Sequence, residues 1–466
     1  MKNATAERPT RRSALLGRDV DILHGPIVGG TVAFAIPMIL QNILANLYNA
    51  ADIAVVGNMS DKVAVASVGA TTTIIGLLVN LFIAVNAGYG VILTRALGQN
   101  DDVRIKRVVK TGYTFSLLLG IAITFIGMIF AKPMLRLTDC PDDVIDGAAL
   151  YLRIYMLSVP ATTFTSFNGG IIRLKGDSTR PFIYSAISGA ANVVLNIVLV
   201  LITGHAVVSV AVATVVSTYI SAVLYLIRLM RLDGACRLRP FDFGINYDVF
   251  VKILRYGIPA MISSATYSIS NIQIQAAINA FEAAGISGNT AAITIEAFAF
   301  SVTNSLVSVL ATFAGQSIGA GDRKRVFNIL KSSYMVWGGV SLVTGTLVLV
   351  FGKSLIGLII PGEVEAIAFG AIRLKYIGIA IFMHGLMNIN SGVMQAFGKT
   401  AFQMIVNLIG VCGFRLIWML MIYPINPVPS TLYMCFPISY ALISTVGISF
   451  VLYLVGRYKK GEDFAI

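Results

Sequence analysis

Between Pro37 and Asp52 the chain reads PMILQNILANLYNAAD, an apolar segment that nevertheless carries Gln41, Asn42, Asn46, Asn49 and Asp52. The asparagines are spaced by four and three, and Asp52 follows three later, which aligns them along one face of a helix. Amides and a carboxylate in that arrangement bind and release ions and polar solutes. In a helix apolar enough to enter a bilayer they must face protein or a water-filled cavity. The rest of the chain then reads as a scaffold around that cavity. The blander reading of Asp52 is an interfacial carboxylate one turn from water.

Other polar residues fall at helical spacing inside apolar runs. Ser264, Tyr267, Ser268, Asn271 and Gln275 share one face, and Asn192 and Asn196 are four apart. Either set lines the cavity or joins helices by hydrogen bonds. Glu296 follows a polar start (Asn289, Thr290, Thr294), so it is an interfacial or structural acid as readily as a functional one. His384, with Asn388 one turn on, is a proton carrier or a hydrogen-bonded packing residue. Arg415 is expected near enough to the outer surface to snorkel or to pair with a carboxylate. The ion-coupling candidates are therefore Asp52, Glu296 and His384. The cavity-lining candidates are Gln41, Asn42, Asn46, Asn49, Asn192, Asn196, Tyr267, Asn271, Gln275 and Asn388.

No catalytic constellation competes with these. Gly398-Lys399-Thr400 is the nearest approach to a phosphate-binding loop, but Val393 stands where its first glycine is needed, and it ends a membrane helix instead of following a strand. There is no HExxH, paired cysteine ligand set or nucleophile elbow. Cys140, Cys236, Cys412 and Cys435 lie far apart and suggest neither a metal site nor a disulfide framework. No cofactor is expected. A Na+ ion near Asp52 is the one metal considered.

The elements that position these residues are membrane spans. Of 466 residues 56% are hydrophobic and 12% charged, with a mean hydropathy of +0.81. A soluble protein carries about 25% charged residues. The net charge of +13 is distributed in short patches between apolar runs, which is the membrane pattern and excludes a nucleic-acid partner. Twelve apolar runs begin near Ile27, Val65, Thr111, Ala148, Phe182, Ala206, Ile253, Ala291, Tyr334, Ala366, Phe402 and Tyr433. The stretch from Met1 to His24 is polar and basic without an apolar signal region. Basic residues such as Arg95, Arg104 to Lys110, Arg173, Arg228, Arg323 to Arg325 and Lys459 gather after even-numbered spans, which places both termini in the cytoplasm. These loops are assigned topological and lipid-headgroup work, with no substrate role.

The chain also repeats itself. FAIPMIL around Pro37 returns as YGIPAMI around Pro259, LGQNDDVRIKRVVK from Leu97 as IGAGDRKRVFNILK from Ile318, and FNGGIIRLKGDSTRP from Phe167 as INSGVMQAFGKTAF from Ile389. The interval between the copies is the same each time to within one position. Six spans per repeat insert both halves in the same sense, with a site expected between them. The expected fold is an all-α integral membrane protein of twelve transmembrane helices in two parallel six-helix repeats. Its divisions are a tail (1–25), a first lobe (26–230), a polar linker (231–250), a second lobe (251–456) and a tail (457–466).

With those motifs in place, the chain resembles the multidrug and toxic compound extrusion family over nearly its whole length. LYNAADIAVVG from Leu47, VASVGATTTI from Val65, the LGQND/IGAGD pair and RLKGDSTRP from Arg173 carry the likeness. The resemblance implies two lobes in a V, rocking between outward- and inward-facing states, and export coupled to sodium or protons. It makes Asp52 the family's first-helix acidic position and Asn192 its fifth-helix asparagine. Asn196 stands where an aspartate is expected, and the seventh helix offers Asn271 and Gln275 where some members have glutamate. The expected activity is a cation-coupled (H+ or Na+) antiporter of the cell membrane, functional as a monomer, exporting organic cationic or amphiphilic compounds. Tyr48, Tyr267, Met383, Met387 and Met394 suit flat aromatic cations or ordinary packing. The rival reading is a lipid-linked precursor flippase of the same fold superfamily, which would want a strongly basic cavity.

Overall fold

The computed structural model describes residues 20–59, 62–138, 140–278, 280–281 and 283–462. The arginines that precede Val20, Asp139 and the side chains of Asn49, Lys62 and Asp143 lie outside the described residues, as do most side chains between residues 53 and 66. All regular structure described is helical. The first half comprises α1 (Ile27–Met59), α2 (Lys62–Ala84), α3 (Asn86–Gln99), α4 (Asp102–Ile129), α5 (Ala131–Leu137), α6 (Asp142–Met156), α7 (Val159–Leu174), α8 (Thr179–Thr203) and α9 (Ala206–Met230). The second comprises α10 (Tyr247–Ile278), α11 (Ala283–Gly319), α12 (Arg323–Ile359), α13 (Val364–Ala396), α14 (Thr400–Asn407), α15 (Phe414–Ile417) and α16 (Pro429–Lys459).

Nine segments among the described residues are long and apolar enough to span a bilayer, ten if α6 and α7, bent by 41° at their junction, form one span. The expected count of twelve is thus not reached by this criterion. The runs near Val65 and Ile253 fall in α2 and α10, outside those ten.

The repeated motifs turn out to be helix punctuation. Asp101 and Asp322, the last residues of LGQND and IGAGD, cap α4 and α12 by accepting from the backbone N–H of Arg104 (3.0 Å) and Arg325 (2.9 Å). Just before them the chain turns left-handed at Asn100 (φ 53°) and Gly321 (φ 74°). Gly176 (φ 95°) and Gly398 (φ 69°) likewise end α7 and α13. All four turns lie at the end of the bundle that carries the basic loops.

Most helix packing stays within a half: α4 on α7, α8 on α9 and α2 on α6 in the first, and α11, α12 and α16 around α13 in the second. The halves meet where α1 and α3 cross α11, and where α2 and α3 cross α10. Pro37 and Pro259 lie inside α1 and α10 at positions related by the repeat. The polar connection from Arg231 is not a free tether. Leu232, Ala235, Cys236 and Leu238 join the first half's core, and the Gly244 and Asn246 N–H groups donate to Thr114 and Thr111 of α4, both at 3.0 Å. Helix α10 begins at Tyr247, inside the expected linker.

Candidate functional site

The residues of the expected single cavity are divided among three places. In the first half, Asp52 on α1 accepts from Asn196 Nδ2 of α8 at 2.5 Å. The same Nδ2 lies 3.3 Å from Asn192 Oδ1, and Asn192 Nδ2 donates to Thr214 Oγ1 of α9 at 3.4 Å. Asn192 and Asn196 are buried while Asp52 is half-buried. No cation partners the Asp52 carboxylate among the described residues. Asn196 Oδ1 is buried without a hydrogen-bond partner, so an unclaimed oxygen lies in this network. Oxygen donors of this kind suit a hard cation. No cluster of three or more His, Cys, Asp or Glu capable of holding a metal occurs among the described residues.

Asn42 and Asn46 point elsewhere, across the boundary between the halves, donating to Ser305 (3.1 Å) and Ser301 (3.3 Å) of α11. The one-face expectation therefore holds for them and not for Asp52. Asp52 is six residues beyond Asn46, about 1.7 turns, which swings it roughly 120° away and toward α8. Gln41 and Asn42 line a cavity of about 440 Å³ between the halves, together with Asn86, Thr94, Asn304, Thr312 and Gln395. Among the described residues Arg173 is the charged one that lines it, although it is one of the basic residues expected to do only topological and lipid-headgroup work.

The third place is a cavity of about 300 Å³ inside the second half, lined by Tyr267, Asn271, Gln275, Glu296, Arg373 and His384. Glu296 is buried and paired. Arg373 donates to its Oε2 through Nη2 (2.6 Å) and Nε (3.0 Å), with both side chains buried. Arg373 Nη1 and the Tyr433 hydroxyl both donate to Asn289 Oδ1, at 2.8 and 2.9 Å. The carboxylate thus has a fixed counter-charge. His384 packs as an aromatic ring, 3.9 Å from Phe300 and 5.0 Å from Tyr440 between centroids, and bonds Asn388 at 3.0 Å.

Arg415 departs furthest from expectation. It is 1% exposed, and it donates to Ser439 (3.2 Å) and Ser270 (3.4 Å) instead of snorkelling or meeting a carboxylate. Its guanidinium lies 4.4 and 5.0 Å from the ring centroids of Phe436 and Tyr440. It sits on α15, a single turn between two π-helical stretches, Leu408–Gly413 and Trp418–Ile422, whose wider i→i+5 turns shift the helix phase.

Arg373, Asn289, Thr214 and Arg173 were missed. Arg373 offered a signal, being a charge within an apolar run that required a partner such as Glu296. Thr214 offered none, because threonine is ordinary in membrane helices.

Against known proteins, the MatE family model matches residues 37–202 and 259–421, so its two matches begin at the paired prolines. The chain is similar to a probable multidrug resistance protein, YoeA of Bacillus subtilis strain 168, at 27% identity over 82% of this chain and 83% of that one. It is 22% identical to the multidrug export protein MepA of Staphylococcus saprophyticus, over 79% and 82% of the two chains. Its fold superposes on an outward-facing multidrug resistance MATE family transporter of the MOP superfamily with a TM-score of 0.86 and 19% identity, covering 95% of this chain and 99% of that one. The paired prolines and duplicated turns are thus parts of a known pattern: this multi-span membrane protein belongs to the MatE family, the multidrug and toxic compound extrusion family that its sequence resembles.

Proposed function

We propose that this chain is a secondary transporter, a multidrug exporter that moves organic, cationic or amphiphilic compounds in exchange for protons or sodium ions. Its relatives' names support export over catalysis. The observation that carries ion coupling is the contrast between its two membrane acids: Glu296 is closed on Arg373, whereas no cation partners Asp52 among the described residues. A carboxylate in a low-dielectric setting without a counter-charge favours a bound proton or cation. Asn196 and Asn192 orient it, and the unclaimed Asn196 oxygen offers sodium a further ligand.

In this reading the protein works as a monomer in the cell membrane with both termini cytoplasmic, and its lobes (26–230 and 251–456) rock about the central cavity. No cofactor takes part beyond the coupling ion. The ion drives release outward only through its different affinity for the two states. Gln41, Asn42 and Asn304 would meet the substrate in the central cavity. Among the described residues Arg173 is the one charge on that cavity and makes it weakly basic, short of what a pyrophosphate-bearing lipid wants, so the flippase reading ranks second.

The test is efflux of a fluorescent organic cation from vesicles with proton and sodium gradients imposed separately. Flux should follow one gradient and disappear in Asp52→Asn with the protein still inserted. Efflux retained in that variant removes Asp52 from the mechanism, and flux indifferent to both gradients with folded protein turns the assignment to the flippase.

A further inference from the structure

The end of the bundle carrying the basic loops is closed by a pair of contacts that no sequence motif announces. At the C-terminus of α7, the N–H groups of Lys175, Gly176 and Asp177 return to the carbonyls of Ile171, Arg173 and Ile172. At the C-terminus of α13, those of Phe397, Gly398 and Lys399 return to Val393, Gln395 and Met394, the same pattern at the interval that separates Phe167 from Ile389. Each cap uses three carbonyls and passes over the helix's last residue, Leu174 in one half and Ala396 in the other.

Both of these carbonyls are taken by a side chain of the opposite half. Arg95 of α3 donates through Nη2 to Ala396 O at 2.9 Å, and Gln316 of α11 donates through Nε2 to Leu174 O at 2.5 Å. Arg95 and Gln316 stand at the same interval as Leu97 and Ile318, so the two contacts are one contact made twice about the internal repeat. Both side chains are buried. Glycines bring the helices close enough: a Cβ on Gly98 would stand 2.1 Å from Gln316 O, and one on Gly319 2.6 Å from Arg95 O. Leu174, Ala396 and Thr94 also line the central cavity, so the contacts form its floor.

We propose that Arg95 and Gln316 are positioning residues of the transport cycle, a reciprocal clasp that holds the basic-loop end shut and must be released for the central cavity to open there. The inference rests on the reading of this chain as an alternating-access transporter. Separation of the halves leaves two helix-terminal carbonyls without protein donors until water reaches them. The members are unequal, because Arg95 places a charge at the negative end of α13 whereas Gln316 is neutral. Arg95 therefore carries more of the closed state.

The test uses the full chain in lipid nanodiscs, with its four cysteines replaced by serine and spin labels on Val103→Cys and Lys324→Cys, one exposed site in each half near this end. Arg95→Gln, which keeps a neutral donor, should raise the ratio of long to short inter-label distances by about tenfold and Gln316→Leu by about fivefold, the scale of the charge assistance and of a neutral hydrogen bond. Arg95→Lys should restore much of the short population. Gln316→Arg should move it the other way and slow turnover at saturating substrate. Folded variants with unchanged distances, or weakening and strengthening variants that shift the same way, overturn the clasp. Distances that shift as stated in a protein without gradient-driven flux keep the clasp and remove the antiporter reading. Should Arg95→Gln fail to fold, Gln316→Leu and Gln316→Arg still have to move in opposite directions.

Discussion

In the first half Asp52 is answered by the amide of Asn196, behind which stand the Asn192 amide and the Thr214 hydroxyl, and by no cation among the described residues. In the second half Glu296 is closed on Arg373, which Asn289 and Tyr433 fix in place, while a second guanidinium, Arg415, lies buried against aromatic rings. The repeat makes the contrast sharper. At the offsets set by the flanking motifs, Asp52 corresponds to Ile274, Glu296 to Ile75 and Arg373 to Tyr151. Two copies of one scaffold share their helix caps and differ in their buried charges. The turns are constrained by backbone geometry common to both halves, whereas the polar interiors were free to diverge once each could satisfy its own groups. A satisfied ion pair contributes conformational definition; an acid without a counter-charge is available for a mobile ion.

If that division is right, substitutions in the two regions should separate stability from transport. The largest loss of stability is expected from Arg373→Met, which strands Glu296 without its counter-charge at a cost of about 3–5 kcal/mol. It would be read as a lowered thermal unfolding midpoint in nanodiscs. Adding Glu296→Leu should recover most of that loss, and failure to recover would mean that Arg373 stabilises through something other than the pair. Asn196→Ala should cost less, about 1–3 kcal/mol for a buried hydrogen-bonded group, and should also weaken gradient-driven flux by disordering Asp52. Asn192→Ala, one step further along the network, should cost about 1 kcal/mol with a smaller effect on flux. The smallest stability change belongs to Asp52→Asn, which keeps shape and one hydrogen-bonding oxygen, yet it should cost transport most. A destabilisation of Asp52→Asn equal to that of Arg373→Met would erase the distinction between the halves.

The sequence by itself determined that the chain is a helical membrane protein and an internal duplication, and it singled out Asp52, Glu296, Gln41 and the asparagines as polar residues within apolar runs. Those features follow from local rules: apolar run length, basic loops and motifs recurring at fixed spacing. The four-residue spacing of Asn192 and Asn196 was likewise visible, though not that Asn196 meets Asp52. Only the tertiary structure decided which polar residues meet. Helical periodicity places a side chain on a face but not opposite a partner. Asn46 and Asp52 therefore part company on one helix, and Arg373, far along the chain from Glu296, becomes its counter-ion. Arg415, expected near the outer surface, is likewise buried against serines and aromatic rings of other segments. Arg95 looked like one more basic residue at a membrane boundary. Its role depends on a carbonyl left over by a turn in the other half of the chain, and only folding brings the two together.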